Sequence, residues 1–547
     1  MTRRHPTRLV LGLVLLAGAQ LHCGDDEGNG FGDGSGLGSG NGFGTGSGGP
    51  SPDPSAGNGS MGPGGGNTNV NFGGAQDFGF VRGLLEAGEV PRAVDFIDSG
   101  FFAEHQTPLP EPICGERVCV QGMLGVMGNL IDGSPCTLLQ VGLNSPIIIN
   151  DQDVQPLDLA VVIDVSGSMQ SGDKIGFVRD GLRQMVNELN DDDRIALIAY
   201  ATESSFRVQP GPVQGRRNEL FDAIDRLQAG GGTNLLAGLE DGFQSVLQGP
   251  EGYARRVILL SDGRPTAGVV STQAILNVSL GYVSEGIGLT TIGLGTDFNQ
   301  ELMSRLAEGA DGNHYFVENA SAVDEVFEEE LRYFTVAVAK DLQLDVAVDE
   351  NFSVDQVYGS PSFQADGAGG RLEVGSVFLA HRRSPDDVTD GNGRRGGGSA
   401  LLFELMARPS DGPEPATTEV ARIEASFLDP ELGERVSDEL VVEYPFSPST
   451  VLETGFFEND IVTKSFVMLN IFVGMQRAAA EFEAGRGEGA YGILIRLRAA
   501  VEDYNEEVQD TDIELDLELI DRMAANIETR IAPPPPPEIP ENPWPAD

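Results

Sequence analysis

The feature that most constrains this fold is an apolar run that ends abruptly in polar residues. Residues from Leu157 to Ile163 are almost all aliphatic, and Asp164, Ser166 and Ser168 follow at once. A run of this kind, without polar alternation, predicts a parallel strand buried on both faces. The polar residues then lie at its carboxyl end, where open α/β sheets bind ligands. Because they are spaced two apart, their side chains project to one side of an extended backbone and can share one ion.

Two further polar residues stand at the ends of downstream elements. Thr233 follows a glycine run at 230–232, just before a helical pattern, and Asp262 ends a second apolar strand that begins at Arg256. Hard cations such as Mg²⁺ take octahedral sets of oxygen ligands and keep some water. We therefore predict a Mg²⁺ site, with Ca²⁺ or Mn²⁺ as alternative ions, whose ligands are Asp164, Ser166, Ser168, Thr233 and Asp262.

The combination of Asp-x-Ser-x-Ser, a threonine after glycines and a second aspartate resembles the metal-ion-dependent adhesion site (MIDAS) of von Willebrand factor type A (VWA) domains. The resemblance implies that Ser166, Ser168 and Thr233 contact the metal, while Asp164 and Asp262 act directly or through water. It also implies that an acidic side chain of a protein partner fills an open coordination position on the ion. Each serine or aspartate alone could instead cap a helix or form a turn. The strands and glycines in matching order favour the metal site.

Strands and helices alternate from residue 156 to residue 334. Helical patterns such as 173–189 and 235–247 separate the apolar strands. This order predicts a doubly wound, mostly parallel, Rossmann-like α/β sheet with helices on both faces, as in VWA domains. Residues 335–446 contain short, turn-separated strands, which predict a β-sandwich-like domain. The leader at 76–156 has too few strands for a sandwich of its own, so we expect it to pair with that domain across the inserted α/β domain.

The remaining segments are distinguished by composition. Residues 24–75 are mostly Gly, Ser, Asn and Asp, a composition that cannot bury a core and predicts a flexible tether. The apolar run from Phe466 to Val473 is only a few helical turns long, which favours packing over membrane insertion. In chain order we predict a signal peptide at 1–23, a Gly/Ser-rich disordered tether at 24–75, the leader at 76–156, the VWA domain at 157–334, the β-sandwich-like domain at 335–446, a helical region at 447–530 and a Pro-rich tail at 531–547.

The first residues have the pattern of an export signal. Arginines at positions 3, 4 and 8 precede an apolar run at 9–17 that is too short for a stable spanning anchor. Cleavage by ordinary signal peptidase after Ala19 and lipoprotein processing at Cys23 are the alternatives, and residues 20–22 depart from the usual lipobox. A cysteine at the head of a flexible tether suits an acyl anchor. We therefore predict lipidation of Cys23 and a place in the bacterial cell envelope, on the outer membrane or the periplasmic face.

Three other cysteines, Cys114, Cys119 and Cys136, cluster in the leader. In an exported protein they predict a disulfide rather than a zinc site, because no nearby pair of histidines completes a metal set. If Cys23 is acylated, one of the three stays free. If it is not acylated, the four cysteines allow two disulfides.

The net charge and the positions of the histidines limit which classes of function are possible. The formal net charge of -49 argues against direct binding of nucleic acid or anionic lipid, so we expect contact with a membrane only through the lipid anchor. A hydrolase needs a base near the metal, yet none of the five histidines lies in a metal loop, and His314 reads as a loop residue. We expect no enzyme activity, and predict a metal-dependent adhesion or scaffold module whose protein partner offers a carboxylate. A metal-dependent hydrolase and a chelatase-type assembly subunit are the alternatives.

Overall fold

The computed structural model describes residues 68–147, 155–262, 264–295, 298–310, 312–317, 326, 337–380, 397–408, 418–445 and 455–531. The predicted signal peptide, Cys23, tether residues 24–67 and almost all of the Pro-rich tail lie outside the described residues.

The helices and strands fall into three stretches of the chain. The first contains β1 (Thr68–Asn71), β2 (Gly74–Ala75), α1 (Gly79–Glu86), α2 (Asp98–Ala103), β3 (Cys119–Gly128) and β4 (Pro135–Ser145). The second contains β5 (Leu157–Asp164), α3 (Lys174–Glu188), β6 (Arg194–Tyr200), β7 (Ser204–Pro212), α4 (Arg217–Asp225), α5 (Leu235–Leu247), β8 (Ala254–Ser261), α6 (Thr272–Val283), β9 (Gly288–Leu294), α7 (Gln300–Glu308) and β10 (Asn313–Val317). The third contains β11 (Ala339–Val348), β12 (Phe352–Tyr358), β13 (Gln364–Ala365), β14 (Gly369–Leu379), β15 (Ala400–Ala407), β16 (Thr418–Leu428), β17 (Arg435–Tyr444), β18 (Phe456–Phe457), α8 (Asp460–Glu483), α9 (Gly487–Val508) and α10 (Thr511–Glu528).

The second stretch, joined at one edge by β2 of the first, forms a sheet in the order β2-β10-β9-β8-β5-β6-β7. Adjacent strands are parallel except for the edge pair β6 and β7. Alternate residues of β5 face opposite layers: Val161 packs in the core on the α3 side, and Val162 packs in the core on the α5 side. Since both faces are covered by helices, β5 is apolar on both sides, as the sequence predicted. The predicted doubly wound α/β fold is confirmed, although the antiparallel edge strand β7 was not predicted.

The outermost strand of this sheet corrects the predicted tether. Residues 68–75 were assigned to a disordered segment, but they form β1 and β2. Gly74 in β2 donates to the carbonyl of Gly312 at 3.1 Å, while Val70 in β1 pairs with Leu379 of β14. The prediction failed because these hydrogen bonds come from backbone atoms and their partners lie hundreds of residues away, so side-chain composition carries no sign of them.

The strands before and after the α/β domain share one sheet. Its path is β12-β15-β4-β1-β14-β11-β16-β17, with β3, β13 and β18 paired at its sides. In the centre, Leu139 and Val141 of β4 lie opposite Phe403 and Leu401 of β15. The sheet folds back on itself, so that β3 packs against β17. A Cβ added at Gly122 of β3 would lie only 2.6 Å from the Val442 side chain in β17. We predicted a β-sandwich-like domain; the eleven strands instead form one hydrogen-bonded set that curls around an apolar core.

Three helices complete the β-domain. α8 is buried along most of its length, and the run at Phe466–Val473 packs in a core shared with α1, α2 and the sheet. Among the described residues, no helix combines the length and apolar character required to span a bilayer. Within the predicted helical region at 447–530, α9 ends before Gln509, whose φ is 55°, and α10 begins at Thr511. The predicted helical region also contains a short strand, β18, whose backbone pairs with β3.

Buried polar and ionic contacts connect these helices to the leader. His105 Nε2 lies 2.7 Å from Asp516 Oδ2, with both side chains fully buried. Lys464 Nζ donates to Asp512 Oδ2 at 2.9 Å and to the carbonyl of Gln106 at 3.0 Å. Removing one member of such a pair leaves an uncompensated buried charge, so these contacts specify how α8 and α10 dock.

The leader cysteines divide into a pair and a single thiol. Cys114 and Cys119 form a disulfide with a Cα–Cα distance of 5.6 Å. Cys136 in β4 is buried and is not part of this disulfide; its Sγ lies 3.9 Å from Glu404 Oε1.

Candidate metal centre

The first predicted ligand, Asp164, ends β5 and is completely buried. Its Oδ1 accepts a hydrogen bond from the backbone N–H of Ser166 at 2.8 Å. Its Oδ2 accepts from the hydroxyls of Tyr200 at 3.1 Å and Ser261 at 3.0 Å. Burial raises the pKa of Asp164, and the charge of Asp262 adds to that rise, while the hydrogen bonds from Ser166 and Ser261 oppose it. The carboxylate is therefore fixed in orientation and poorly solvated, so a cation would stabilise its charged form.

Two serines connect Asp164 to Asp262. Ser166 Oγ and Ser168 Oγ lie 3.0 Å apart, and Ser168 Oγ donates to Asp262 Oδ1 at 2.8 Å. Asp262 is completely buried, whereas Ser168 is exposed. The structure thus brings four of the five predicted residues into one hydrogen-bonded series at the carboxyl ends of β5 and β8, with one hydroxyl open to solvent.

The fifth predicted residue, Thr233, lies on a loop held against the one that follows β5. Gly230 donates to the carbonyl of Val165 at 2.7 Å, and Gly167 donates to the carbonyl of Gly231 at 3.1 Å. Gly231 has a φ of 93°, a conformation that favours glycine. The glycine run therefore has a structural purpose, because it lets two loops approach closely and carries Thr233 to the same edge of the sheet.

Lys174 is a charged member of this cluster that the sequence reasoning missed. It begins α3, and its Nζ donates to Asp262 Oδ2 at 2.9 Å. The N-terminus of a helix is an unfavourable place for a cation. A lysine in the first turn of a predicted helix, close after Asp-x-Ser-x-Ser, was the signal that could have indicated an acidic partner outside that helix.

An apolar rim beside Thr233 was also missed. Thr266 and Ala267 donate their N–H groups to the carbonyl of Thr233 at 2.9 and 3.1 Å, and Thr266 Oγ1 accepts from the N–H of Thr233 at 2.9 Å. The same loop then exposes Val269 and Val270, with 39% and 58% of their surface accessible. Short-range patterns in the sequence indicated the candidate ligands, but the exposure of these valines depends on how their loop is bonded to Thr233.

The oxygen atoms have the spacing that a small divalent cation requires. Octahedral Mg²⁺ with bonds of about 2.1 Å places neighbouring ligand oxygens about 3.0 Å apart. The two hydrogen-bonded oxygen pairs at Ser168 measure 3.0 and 2.8 Å. A second group close enough to hold an ion contains Cys114, Cys119 and Asp438, but its two sulfurs are joined in the disulfide and offer no thiolate. The oxygen cluster is the better fit to a hard cation.

His314 lies near the start of β10, where its backbone pairs with Thr291 of β9, so it is a strand residue and not a loop residue. Burial lowers the pKa of His314 to about 4, and its Nδ1 lies 3.0 Å from Thr291 Oγ1. β9 and β8 separate β10 from β5 in the sheet, so this histidine does not belong to the oxygen cluster.

Comparisons with known proteins agree with this architecture. Residues 158–329 match the model of the von Willebrand factor type A domain. Protein YfbK of Escherichia coli K12 is 31% identical over 215 residues, which are 38% of this chain and 36% of YfbK. Protein sll0103 of Synechocystis is 26% identical over 377 residues, 67% of this chain and 84% of that protein. Human inter-alpha-trypsin inhibitor heavy chain H4 is 32% identical over 160 residues, 28% of this chain and 17% of its own length.

Two solved structures cover more of the chain at lower identity. The structure named von Willebrand factor type A from Catenulispora acidiphila has a TM-score of 0.45 at 15% identity and covers 72% of this chain and 85% of its own. The ArnB paralog VWA2 from Sulfolobus acidocaldarius has a TM-score of 0.42 at 17% identity and covers 76% and 98%.

Proposed function

Residues 158–329 form a von Willebrand factor type A domain, and we propose that it works as a metal-dependent protein-binding module, in adhesion or as a scaffold. Asp164, Ser166, Ser168, Thr233 and Asp262 would hold the ion, with Mg²⁺ as the expected cation and Ca²⁺ or Mn²⁺ as alternatives. The observation that carries the proposal is the hydrogen-bonded series from Asp164 through the two serines to Asp262.

When bound, the ion would supply a coordination position for an anionic oxygen of a partner. Mg²⁺ keeps several waters when a protein offers few carboxylates, and such waters are exchangeable. Ser168 is exposed while both aspartates are buried, so the open side of the centre faces solvent. A carboxylate on a protein partner has the charge and oxygen chemistry to take that position.

The rim suggests what surrounds the acidic group on the partner. Val269 and Val270 present exposed aliphatic surface, and Arg264 is exposed at the beginning of the same loop. A partner with an acidic side chain beside an aliphatic one would contact the ion and bury the valines together. We assign no catalysis to the centre, because the groups bonded to its aspartates, Tyr200, Ser261 and Lys174, orient or neutralise carboxylates.

The proposed place of action is the bacterial cell envelope, with the chain anchored by lipid on Cys23. The composition of residues 1–23 supports this, together with the glycine-rich segment after them. Replacement of Cys23 by Ser should release the protein from membranes into the soluble envelope fraction. A mature chain that starts at Gln20 without lipid would overturn the anchor and leave the binding proposal intact.

Magnesium titration of Thr233→Ala tests the module directly. Isothermal titration calorimetry of the full chain should show one Mg²⁺ per molecule, and loss of the Thr233 hydroxyl should weaken its binding by about tenfold or more. Thr529→Ala is the matched control. Thr529 is exposed and directly follows α10, so its replacement should leave the titration unchanged. Equal Mg²⁺ binding by wild type and Thr233→Ala would overturn the assignment.

Crosslinking in native envelopes then tests the function. The partner crosslinked to wild type should be lost on addition of chelator and in Thr233→Ala, and retained in Thr529→Ala. The same crosslinks in chelator would overturn metal-dependent binding even if the ion itself binds.

A further inference from the structure

We propose that Lys174 is a built-in countercharge that gives the loaded metal centre a net positive charge and thereby makes it select an anion. This inference rests on the proposed function and assigns a specificity role to a residue that is not among the five oxygen ligands. It concerns the ammonium group that lies against Asp262 inside the cluster.

In the contact between Lys174 and Asp262, each carboxylate oxygen has its own partner. The two oxygens of this carboxylate have different partners: Oδ1 accepts from Ser168 at 2.8 Å, and Oδ2 accepts from Lys174 at 2.9 Å. The Asp262 side chain is fully buried, and only 13% of the Lys174 side chain is exposed. Solvent therefore screens this pair poorly, and its charges act on whatever binds at Ser168.

The lysine stem is also held in place. A Cβ added at Gly295, which directly follows β9, would lie 2.8 Å from Lys174 Cε and 3.1 Å from its Nζ. Gly295 has a φ of 74°, so the absence of a side chain there suits both the backbone and the lysine. Lys174 is thus positioned between the ends of β8 and β9. Fixing its long side chain there costs conformational entropy on folding.

The charge of Lys174 decides the net charge of the centre when a divalent cation is bound. Asp164 and Asp262 carry two negative charges, which a divalent cation cancels, so the ion and its two carboxylates together are formally neutral. With the ammonium of Lys174 the centre has one net positive charge and attracts a single carboxylate. Lys174 should therefore oppose binding of the cation and favour binding of the anion, two effects of opposite sign.

Because removing the charge of Lys174 should strengthen cation binding and weaken anion binding, this role can be distinguished from a structural one. Lys174→Met keeps most of the aliphatic stem and removes the charge. In magnesium calorimetry of the full chain, we expect this variant to bind Mg²⁺ about three- to tenfold more tightly than wild type. Lys340→Met is the matched control, because it removes the same charge from an exposed position in β11 and should leave Mg²⁺ affinity unchanged.

The anion is measured with fluoroacetate as the carboxylate probe. At saturating Mn²⁺, the bound ion should enhance ¹⁹F relaxation of fluoroacetate in wild type and Lys340→Met, and this enhancement should fall about threefold or more in Lys174→Met. Lys174→Arg preserves the charge and should retain more of the enhancement than Lys174→Met does. Far-ultraviolet circular dichroism establishes that each variant is folded, and Lys174→Gln replaces Lys174→Met if the methionine variant is not.

The outcomes separate the two proposals. Failure of wild type to bind Mg²⁺, Ca²⁺ or Mn²⁺ would overturn the proposed function and this inference with it. Mg²⁺ binding by wild type that is weakened or unchanged in the charge-removing variant would overturn the role of Lys174 alone, as would undiminished relaxation of fluoroacetate.

Discussion

The α/β domain and the β-domain of this protein are assembled from the chain in different ways. Apart from β2, all strands of the α/β sheet come from one continuous segment between Leu157 and Val317. The β-domain sheet instead joins strands that precede this segment to strands that follow it, so that β4 lies directly beside β15. The first arrangement leaves a periodic record in the sequence, and the second depends on pairings between residues far apart in the chain.

Two buried acids, one in each region, have different partners. In the α/β domain, Asp262 lies against the cation Lys174. In the β-domain, Glu404 is fully buried and these two partners are neutral: its Oε2 accepts from the hydroxyl of Tyr358 at 3.1 Å, and the thiol of Cys136 lies 3.9 Å from its Oε1. A countercharge can compensate a buried carboxylate, whereas a carboxyl with neutral hydrogen-bond partners can satisfy its surroundings by taking up a proton.

The largest expected effect tests whether the regions unfold separately. Phe472 of α8 packs against the rings of Phe78, Phe101 and Tyr358, with centroids 6.4, 5.7 and 6.3 Å away, and so connects the helices with the leader and β12. Phe472→Ala should lower the free energy of unfolding of the β-domain by about 3–5 kcal/mol. Urea unfolding followed by hydrogen exchange should show the loss in α8, with Mg²⁺ affinity unchanged.

Phe243→Ala is the matched variant in the α/β domain, because Phe243 is a fully buried phenylalanine of α5. Its exchange should increase in α5 and β5 rather than in α8. If the two variants increase exchange in both regions to the same extent, the domains unfold as one unit and the comparison between them fails for stability.

The features that could be predicted from the sequence are those set by residues close together in the chain, and the features that were missed depend on residues far apart. Asp164, Ser166, Ser168 and Asp262 were identifiable because a polar residue at the end of an apolar strand stands out locally, and the structure brings them into contact. β1 and β2 were not, because a glycine-rich segment pairs through its backbone and its side chains carry no period. The position of Lys174 beside Asp262 was missed for a related reason, since it depends on two loops meeting after the sheet has formed.

A smaller, pH-dependent effect sharpens the contrast between buried acids. Burial raises the pKa of Glu404 from the usual 4.5 to about 8. Since the folded pKa is the higher one, the unfolded chain releases its proton first, and the contribution of Glu404 to stability is lost as pH rises from about 4.5 to about 8. Glu404→Gln should remove this dependence and be about 2–4 kcal/mol more stable than wild type at pH 8. Urea midpoints across this window measure it.

Glu424→Gln provides the control, because Glu424 is exposed on β16 and its replacement should leave the pH profile of wild type unchanged. A Glu404→Gln profile that stays parallel to wild type would mean that Glu404 is charged in the folded state, and the distinction drawn from Tyr358 and Cys136 would be lost.

The smallest expected effect concerns the short connection that joins the two sheets. Gly73 lies between β1 and β2 with a φ of 88°, and a Cβ there would lie 2.9 Å from the carbonyl oxygen of Gly312. Gly73→Ala should destabilise the chain by about 1–3 kcal/mol, since it combines backbone strain with a close contact. Hydrogen exchange should increase in β10, which β2 borders. Gly88→Ala separates the two causes, because Gly88 has a φ of 77° and nothing within 4 Å of an added Cβ, so only strain remains. Exchange in β10 that rises equally in both variants would show that the close contact of residue 73 with Gly312 adds nothing to the effect of backbone strain.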